Sequence, residues 1–219
     1  MMPRAGYHDG SIHWMPAVPK TYDRAYFDKW YRHPEHSVAA PAELRRKVAL
    51  AVSLAEFYLG RSIRNVLDIG CGEAPWRAHL RALRPGIAYR GLDASEYVVS
   101  RYGRSRDIGL ATFGQLQYLR FDERYDLIVC SDVLHYLKAA EIRAGLEGLV
   151  DMLEGVAFIE VFTRQDDPAG DLHGFVARNA SWYLRTFREA GLLPCGSQAY
   201  LGPRLERRIA ALERAQLAF

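Results

Sequence analysis

At 219 residues, 49% hydrophobic and 25% charged, the chain has an ordinary globular composition, which excludes a disordered, collagenous or coiled-coil protein. Its 29 basic and 26 acidic residues leave a net charge of +3, too little to call for a nucleic-acid partner without a clustered patch. Cys71, Cys130 and Cys195 form no paired motif, which argues against a disulfide framework or a zinc site. No run approaches the roughly 18 apolar residues of a membrane span, and the start lacks the apolar stretch of a secretory signal, so the expected compartment is the cytoplasm.

Residues Tyr7 to His36 are rich in aromatics and interrupted by Pro16, Pro19 and Pro34. They read as an irregular wrap or as a short helix around Tyr22 to Tyr31. His33 and His36 stand three apart with no third ligand in view, so no metal is expected. A helix starts near Pro41, with Leu44, Val48, Ala51, Ala55 and Tyr58 on one face, and Gly60 stops it. From there strands and helices alternate. Asn65 to Ile69 is a strand, Trp76, Leu80 and Leu83 mark a helix, Ile87 to Leu92 is a second strand, and Ser95 to Tyr102 is a helix. Leu110 to Phe113 is a weak third strand and Tyr125 to Cys130 a strong fourth. Ile142, Leu146, Leu149, Val150 and Leu153 line the next helix, before a fifth strand from Val156 to Phe162. Ser181 is expected to cap a helix to Ala190, closed by Gly191. One last strand is expected within Leu193 to Leu201, then a terminal helix striped by Leu205, Ile209 and Leu212. The alternation predicts an α/β fold: a doubly wound, mostly parallel sheet with helices on both faces. Ligands of such sheets sit beyond the carboxyl ends of the strands, where the strand order reverses.

The loop after the first strand reads Asp68-Ile69-Gly70-Cys71-Gly72-Glu73-Ala74-Pro75. Gly70 and Gly72 permit a sharp turn and close approach of a ligand to the backbone, although a tight turn alone would need them equally. Asp93 follows Gly72 by 21 residues at the end of the second strand, where a carboxylate accepts bonds from both ribose hydroxyls; a helix cap is the alternative. Pro75 stands where a dinucleotide fold wants glycine, and Glu73 would repel a pyrophosphate. A sulfonium nucleoside carries positive charge and tolerates this acidic loop.

The series VLDIGCG, GLDASEY and YDLIVCSDVLHYL resembles the motifs of class I S-adenosylmethionine-dependent methyltransferases, the seven-strand Rossmann-like family, over about Val66 to Gly202. The resemblance implies S-adenosylmethionine as cofactor and a small-molecule methyl acceptor. It implies that Asp68 holds the methionine amino group, that Gly70, Cys71 and Gly72 pass its backbone side, and that Asp93 and Ala94 meet the ribose. Gln115 and Leu116 would contact adenine, and Ser131 the methionine portion. Ala74 replaces a frequent glycine of this family. Lys47 would meet the cofactor carboxylate. His135 is the candidate base or positioning group, with packing under the cofactor as its alternative. The run from Tyr22 to Tyr31 resembles the family's small-molecule lids. Tyr22, Tyr26 and Trp30 would share one face toward the acceptor, or else pack as core, and Tyr136 is either core or wall. The long connection from Thr163 to Asn179, with His173, lines the acceptor site or is a solvated loop. The family's closing antiparallel hairpin is expected to lack one strand here. Residues 1–219 then form one methyltransferase unit: an N-terminal lid and helix at 1–60, the α/β core at 61–202, and a C-terminal helix at 203–219. An inactive binding or scaffold module, a nucleic-acid methyltransferase and, more distantly, an NAD oxidoreductase are the competing readings. Oligomeric state and the acceptor atom are left open.

Overall fold

The computed structural model describes residues 20–32, 41–166, 168 and 171–212; His33 and His36 lie outside them. The described residues open with α1 (Arg24–Phe27), whose first turn Asp23 caps by accepting from the Tyr26 N–H at 3.0 Å, and continue into a π-helical turn, Asp28–Arg32. Helix α2 (Pro41–Leu59) follows, ended by Gly60 at a φ of 69°. Strands β1 (Asn65–Ile69), β2 (Ala88–Asp93) and β3 (Ile108–Leu110) alternate with helices α3 (Pro75–Leu83) and α4 (Glu96–Arg106). A 3-10 segment, Phe113–Tyr118, leads to β4 (Tyr125–Ser131), and a short 3-10 turn, Leu134–Tyr136, to α5 (Ala139–Met152) and β5 (Leu153–Glu160). Helix α6 (Ala180–Glu189), strands β6 (Leu193–Gly196) and β7 (Ala199–Leu201), and a 3-10 segment (Pro203–Arg208) complete the described chain.

The seven strands form one sheet in the order β3-β2-β1-β4-β5-β7-β6. The pairs among β1 to β5 are parallel, whereas β7 runs antiparallel to both β5 and β6. Successive residues of a strand point to opposite faces, so a strand buried on both sides is apolar throughout. On β4, Leu127 and Val129 join the core under α2 and α3, where Trp76 meets Phe158 with ring centres 5.4 Å apart. Ile128 and Cys130 join the opposite core, with Leu146 and Leu149 of α5 and Tyr183 and Phe187 of α6. Asp126 is the polar exception: Arg61 grips its two oxygens at 2.7 Å each, and the Arg64 N–H donates to it at 2.7 Å, which ties the end of α2 to the base of the sheet.

Four expectations need correction. The hairpin is whole, because Ser197 and Gln198 turn it with φ of 49° and 65°, and β6 and β7 pair across it. The third strand is Ile108–Leu110, not Leu110 to Phe113; Phe113 instead opens the 3-10 segment. Asn179, not Ser181, stands at the cap position of α6, and the segment after Gly202 is 3-10 rather than α-helical through Ile209, with Leu212 exposed. No described helix is long and apolar enough to cross a membrane.

Gly145 and Gly148, one turn apart on α5, let the 3-10 segment lie directly on the helix: a Cβ at Gly148 would overlap the Leu116 carbonyl, and one at Gly145 the Phe113 ring. This contact seats Phe113 and Thr112 at the end of the sheet. Gly148→Ala therefore should lower unfolding free energy by about 1–3 kcal/mol through overpacking, read as a lower urea midpoint at unchanged slope.

Candidate functional site

The strand order reverses between β1 and β4, and the register brings Ile69 beside both Leu92 and Cys130. The loops after β1, β2 and β4 thus meet at one sheet end, where a cavity of about 660 Å³ opens. That size suits a nucleoside together with a small second ligand.

The glycine loop folds back over β2: Gly70 and Cys71 donate their N–H groups to the Leu92 carbonyl at 2.7 and 3.1 Å. Gly70 and Gly72 both have positive φ, 67° and 53°. A Cβ at Gly70 would run into Val133, and one at Gly72 into the Tyr31 hydroxyl. Ala74 also adopts the left-handed region, at φ 56°, which explains the glycine frequent at this position in the motif and costs about 1–2 kcal/mol. The Cys71 thiol packs against Gly91, and the residue also borders the cavity.

Asp93 is not the cap of α4. Ser95 has that role, accepting from the Val98 N–H at 3.2 Å. The Asp93 carboxylate instead accepts from the Gly72 N–H at 2.7 Å and the Ser95 N–H at 2.8 Å, joining the first two loops. Burial raises its pKa, and those backbone bonds resist the rise. Asp68, 2% exposed, accepts from the Tyr89 hydroxyl at 2.7 Å. Burial, with the charge of Asp93 beside it, pushes its pKa up to about 7 against the pull of that phenol. Ala94 also lies on the wall. Two raised carboxylates at adjacent strand tips favour a cationic ligand.

Gln115 and Leu116, expected to contact adenine, lie away from the cavity. Gln115 turns back to accept from the Thr112 N–H at 2.8 Å, closing the capping box of the 3-10 segment, and Leu116 is buried beneath it. Neither borders the cavity; Ala111, Thr112 and Phe113 do. Lys47 borders it, but its ammonium pairs with Glu160 at 2.6 Å and Glu43 at 3.3 Å. Ser131 donates to the other Glu160 oxygen at 2.5 Å. The Glu73 charge is taken up by Arg32, at 2.5 Å, so the case against a pyrophosphate rests on Pro75 and on Asp68 and Asp93.

Beyond β4, His135 is 1% exposed and both ring nitrogens are engaged. Nδ1 accepts from the Phe162 N–H at 3.4 Å, which leaves the proton on Nε2, 3.2 Å from an Asp132 oxygen. Asp132 has a positive φ, 62°, and its side chain is 37% exposed at the cavity. It was overlooked in the sequence because a Ser-Asp pair after a strand reads as a turn. Tyr22, Tyr26 and Trp30 line the cavity, with Tyr22 and Tyr26 edge to face at 5.1 Å, while Phe27 anchors the segment by stacking on Tyr97 of α4 at 5.7 Å. Tyr136 is wall, and its hydroxyl donates to the Asp171 carbonyl at 2.7 Å. The loop from Thr163 to Asn179 contributes Asp171, Leu172 and Phe175, whereas His173 is exposed and off the wall. Among the described residues no three His, Cys, Asp or Glu side chains form a group able to hold a metal.

Residues 67–155 match the family model of a methyltransferase domain. No curated protein matches the chain in sequence. Solved structures do match in fold. The plantazolicin methyltransferase BpumL, in complex with a pentazolic desmethylPZN analog and S-adenosylhomocysteine, aligns at 12% identity over 89% of this chain and 89% of its own, TM-score 0.58. The 1,6-didemethyltoxoflavin-N1-methyltransferase of Burkholderia thailandensis, with 1,6-didemethyltoxoflavin and S-adenosylhomocysteine bound, aligns at 18% identity over 76% of this chain and 92% of its own, TM-score 0.52. An O-methyltransferase family protein from Burkholderia thailandensis aligns at 15% identity over 80% of this chain, which spans only 61% of that protein, TM-score 0.49. The domain match thus falls on the stretch that carries the glycine loop, Asp93 and β4, and the matched structures share the seven-strand fold around it.

Proposed function

We propose that this chain moves the methyl group of S-adenosylmethionine onto a small-molecule acceptor by direct displacement, with the cofactor seated over the glycine loop. The carrying observation is the pair of buried carboxylates, Asp68 and Asp93, held by a phenol and two backbone amides at the switch point of the sheet. Asp93 takes the ribose hydroxyls and Asp68 the methionine ammonium. Ala111, Thr112 and Phe113 take the place given to Gln115 and Leu116 at the adenine. S-adenosylmethionine supplies an electrophilic methyl on a sulfonium, so the protein's task is alignment and exclusion of water, worth about 7–11 kcal/mol when complete. Tyr22, Tyr26 and Trp30 exclude the water. Lys47, engaged by Glu160 and Glu43, steadies Ser131 through Glu160 and meets the cofactor only by exchanging partners. Asp132 receives a proton where the acceptor must lose one, and His135, fixed from both sides, holds that carboxylate in place. The reaction is placed in the cytoplasm, where the free Cys71, Cys130 and Cys195 stay reduced. Residues 1–219 are taken to act as one unit. The carboxylate-lined cavity, sized for a nucleoside and a small second ligand, supports a small acceptor over a nucleic acid.

Asp93→Ala removes charge-assisted bonds worth roughly 1.5–3 kcal/mol and should weaken S-adenosylhomocysteine binding by about tenfold or more in calorimetry. Unchanged affinity overturns the site.

Asp68 gives a pH signature. Its raised pKa means that the folded state holds a proton that the unfolded state has released, so apo stability falls as pH rises from the ordinary carboxylate range to about 7. Cofactor binding needs the ionised form, so affinity for S-adenosylmethionine should climb as pH rises toward 7 and level off above it. In Asp68→Asn the profile should be flat and the affinity low. A flat wild-type profile between pH 6 and 8 overturns the role of Asp68.

Asp132→Asn should lower kcat by about 10²-fold with S-adenosylhomocysteine affinity unchanged, and His135→Ala should lower it in the same way by releasing Asp132. Single-turnover rates with any acceptor found by methyl mass gain provide the check; undiminished rates in both variants rule out the proton-accepting pair.

A further inference from the structure

Lys20 packs into a box formed by three tyrosine rings and the Asp171 carboxylate, all four of which line the cavity. Its ammonium lies 3.4 Å from the centre of the Tyr136 ring and 5.2 and 5.4 Å from those of Tyr22 and Tyr26. Asp171 pairs with it at 2.7 Å, both side chains being nearly buried, 11% and 13% exposed. The Tyr136 hydroxyl donates to the Asp171 carbonyl at 2.7 Å, so ring and carboxylate form one rigid corner. Burial pulls the pKa of Lys20 down, while Asp171 and Asp132 oppose that shift. Aromatic faces with a carboxylate at one side are the surroundings that select an ammonium over neutral or anionic groups.

The rest of the wall agrees in sign. Among the described residues at the wall, seven carboxylates stand against two lysines, Lys47, which pairs with Glu43 and Glu160, and Lys20, which pairs with Asp171. An acceptor carrying phosphate or carboxylate would enter against that field, whereas a cation would enter with it. The lysine stem has four rotatable carbons, which allow the Lys20 head to swing out while Tyr22, Tyr26 and Tyr136 keep their places.

We propose that the Tyr22, Tyr26, Tyr136 and Asp171 box is the recognition site for an ammonium group on the methyl acceptor, and that Lys20 occupies it in the acceptor's absence as an internal stand-in. The proposal rests on the methyl-transfer reading only in calling the occupant an acceptor. Substrates are then amines or quaternary ammonium compounds, and the lysine head competes with them.

The test compares choline with its uncharged carbon isostere, 3,3-dimethylbutanol, titrated against the full-length protein with and without S-adenosylhomocysteine, reading Trp30 fluorescence and calorimetric heat. Wild type should bind choline about tenfold more tightly than the isostere. Lys20→Met should tighten choline by a further tenfold or so while leaving the isostere little changed, and Tyr136→Leu should bring choline down to the level of the isostere. Lys20→Gln is the second variant should the methionine protein misfold. A wild type that does not discriminate the two probes overturns the proposal. So does a lysine variant that binds choline no better, which would leave Lys20 a structural ion pair. S-adenosylhomocysteine titrated alone reports separately: its failure to bind overturns the methyl-transfer reading, and the choline comparison still decides the box.

Discussion

The Asp93 carboxylate joins two loops that come from different strands. One oxygen accepts from the Gly72 N–H and the other from the Ser95 N–H, so the glycine turn after β1 and the start of α4 are set by a single side chain. That side chain is buried, and the groups that hold it are neutral amides, as the Tyr89 phenol is for Asp68. A pair of carboxylates kept in this way is at odds with its surroundings until a cation arrives. The sheet end is therefore prepared for positive charge before any ligand is present, and the other features of the site arrange themselves around it.

The sheet core was legible because its information is local. Asn65 to Ile69 and Tyr125 to Cys130 are unbroken apolar runs flanked by turns, and a strand covered on both faces has no other pattern to show. The glycine loop and Asp93 were legible from spacing, since the distance between two strand ends is fixed by the helix between them. The hairpin was not legible: its turn residues, Ser197 and Gln198, take left-handed conformations without the asparagine or glycine that normally signals them. The third strand was displaced for a related reason, because Leu110 to Phe113 is apolar enough for a strand, whereas Gly145 and Gly148 reward a 3-10 segment lying close on α5.

The polar side of the cavity was harder to read, and the cause is physical. Gln115 sits in the right stretch, but its amide oxygen has a nearer partner in the Thr112 N–H, three residues away, and local bonds compete well with a ligand. His135 could be placed by its motif, yet its engagement with Phe162 and Asp132 depends on strands and loops that only the folded chain brings together. Lys20 and Asp171 are far apart in sequence and belong to segments with no periodicity, so nothing short of the fold pairs them. Charge balance was misleading for the same reason: Glu73 looks free in the loop and is matched by Arg32.

The segment from Lys20 to Arg32 is fastened at both ends, by Arg32 to Glu73 beside the glycine turn and by Lys20 to Asp171 across the cavity. Between those points Tyr31 rests on Gly72 and Tyr22 faces the far half. One segment thus lines the cavity from the glycine turn to the Asp171 loop. The two halves are therefore linked mechanically: loosening either ion pair frees one end of a segment that borders both.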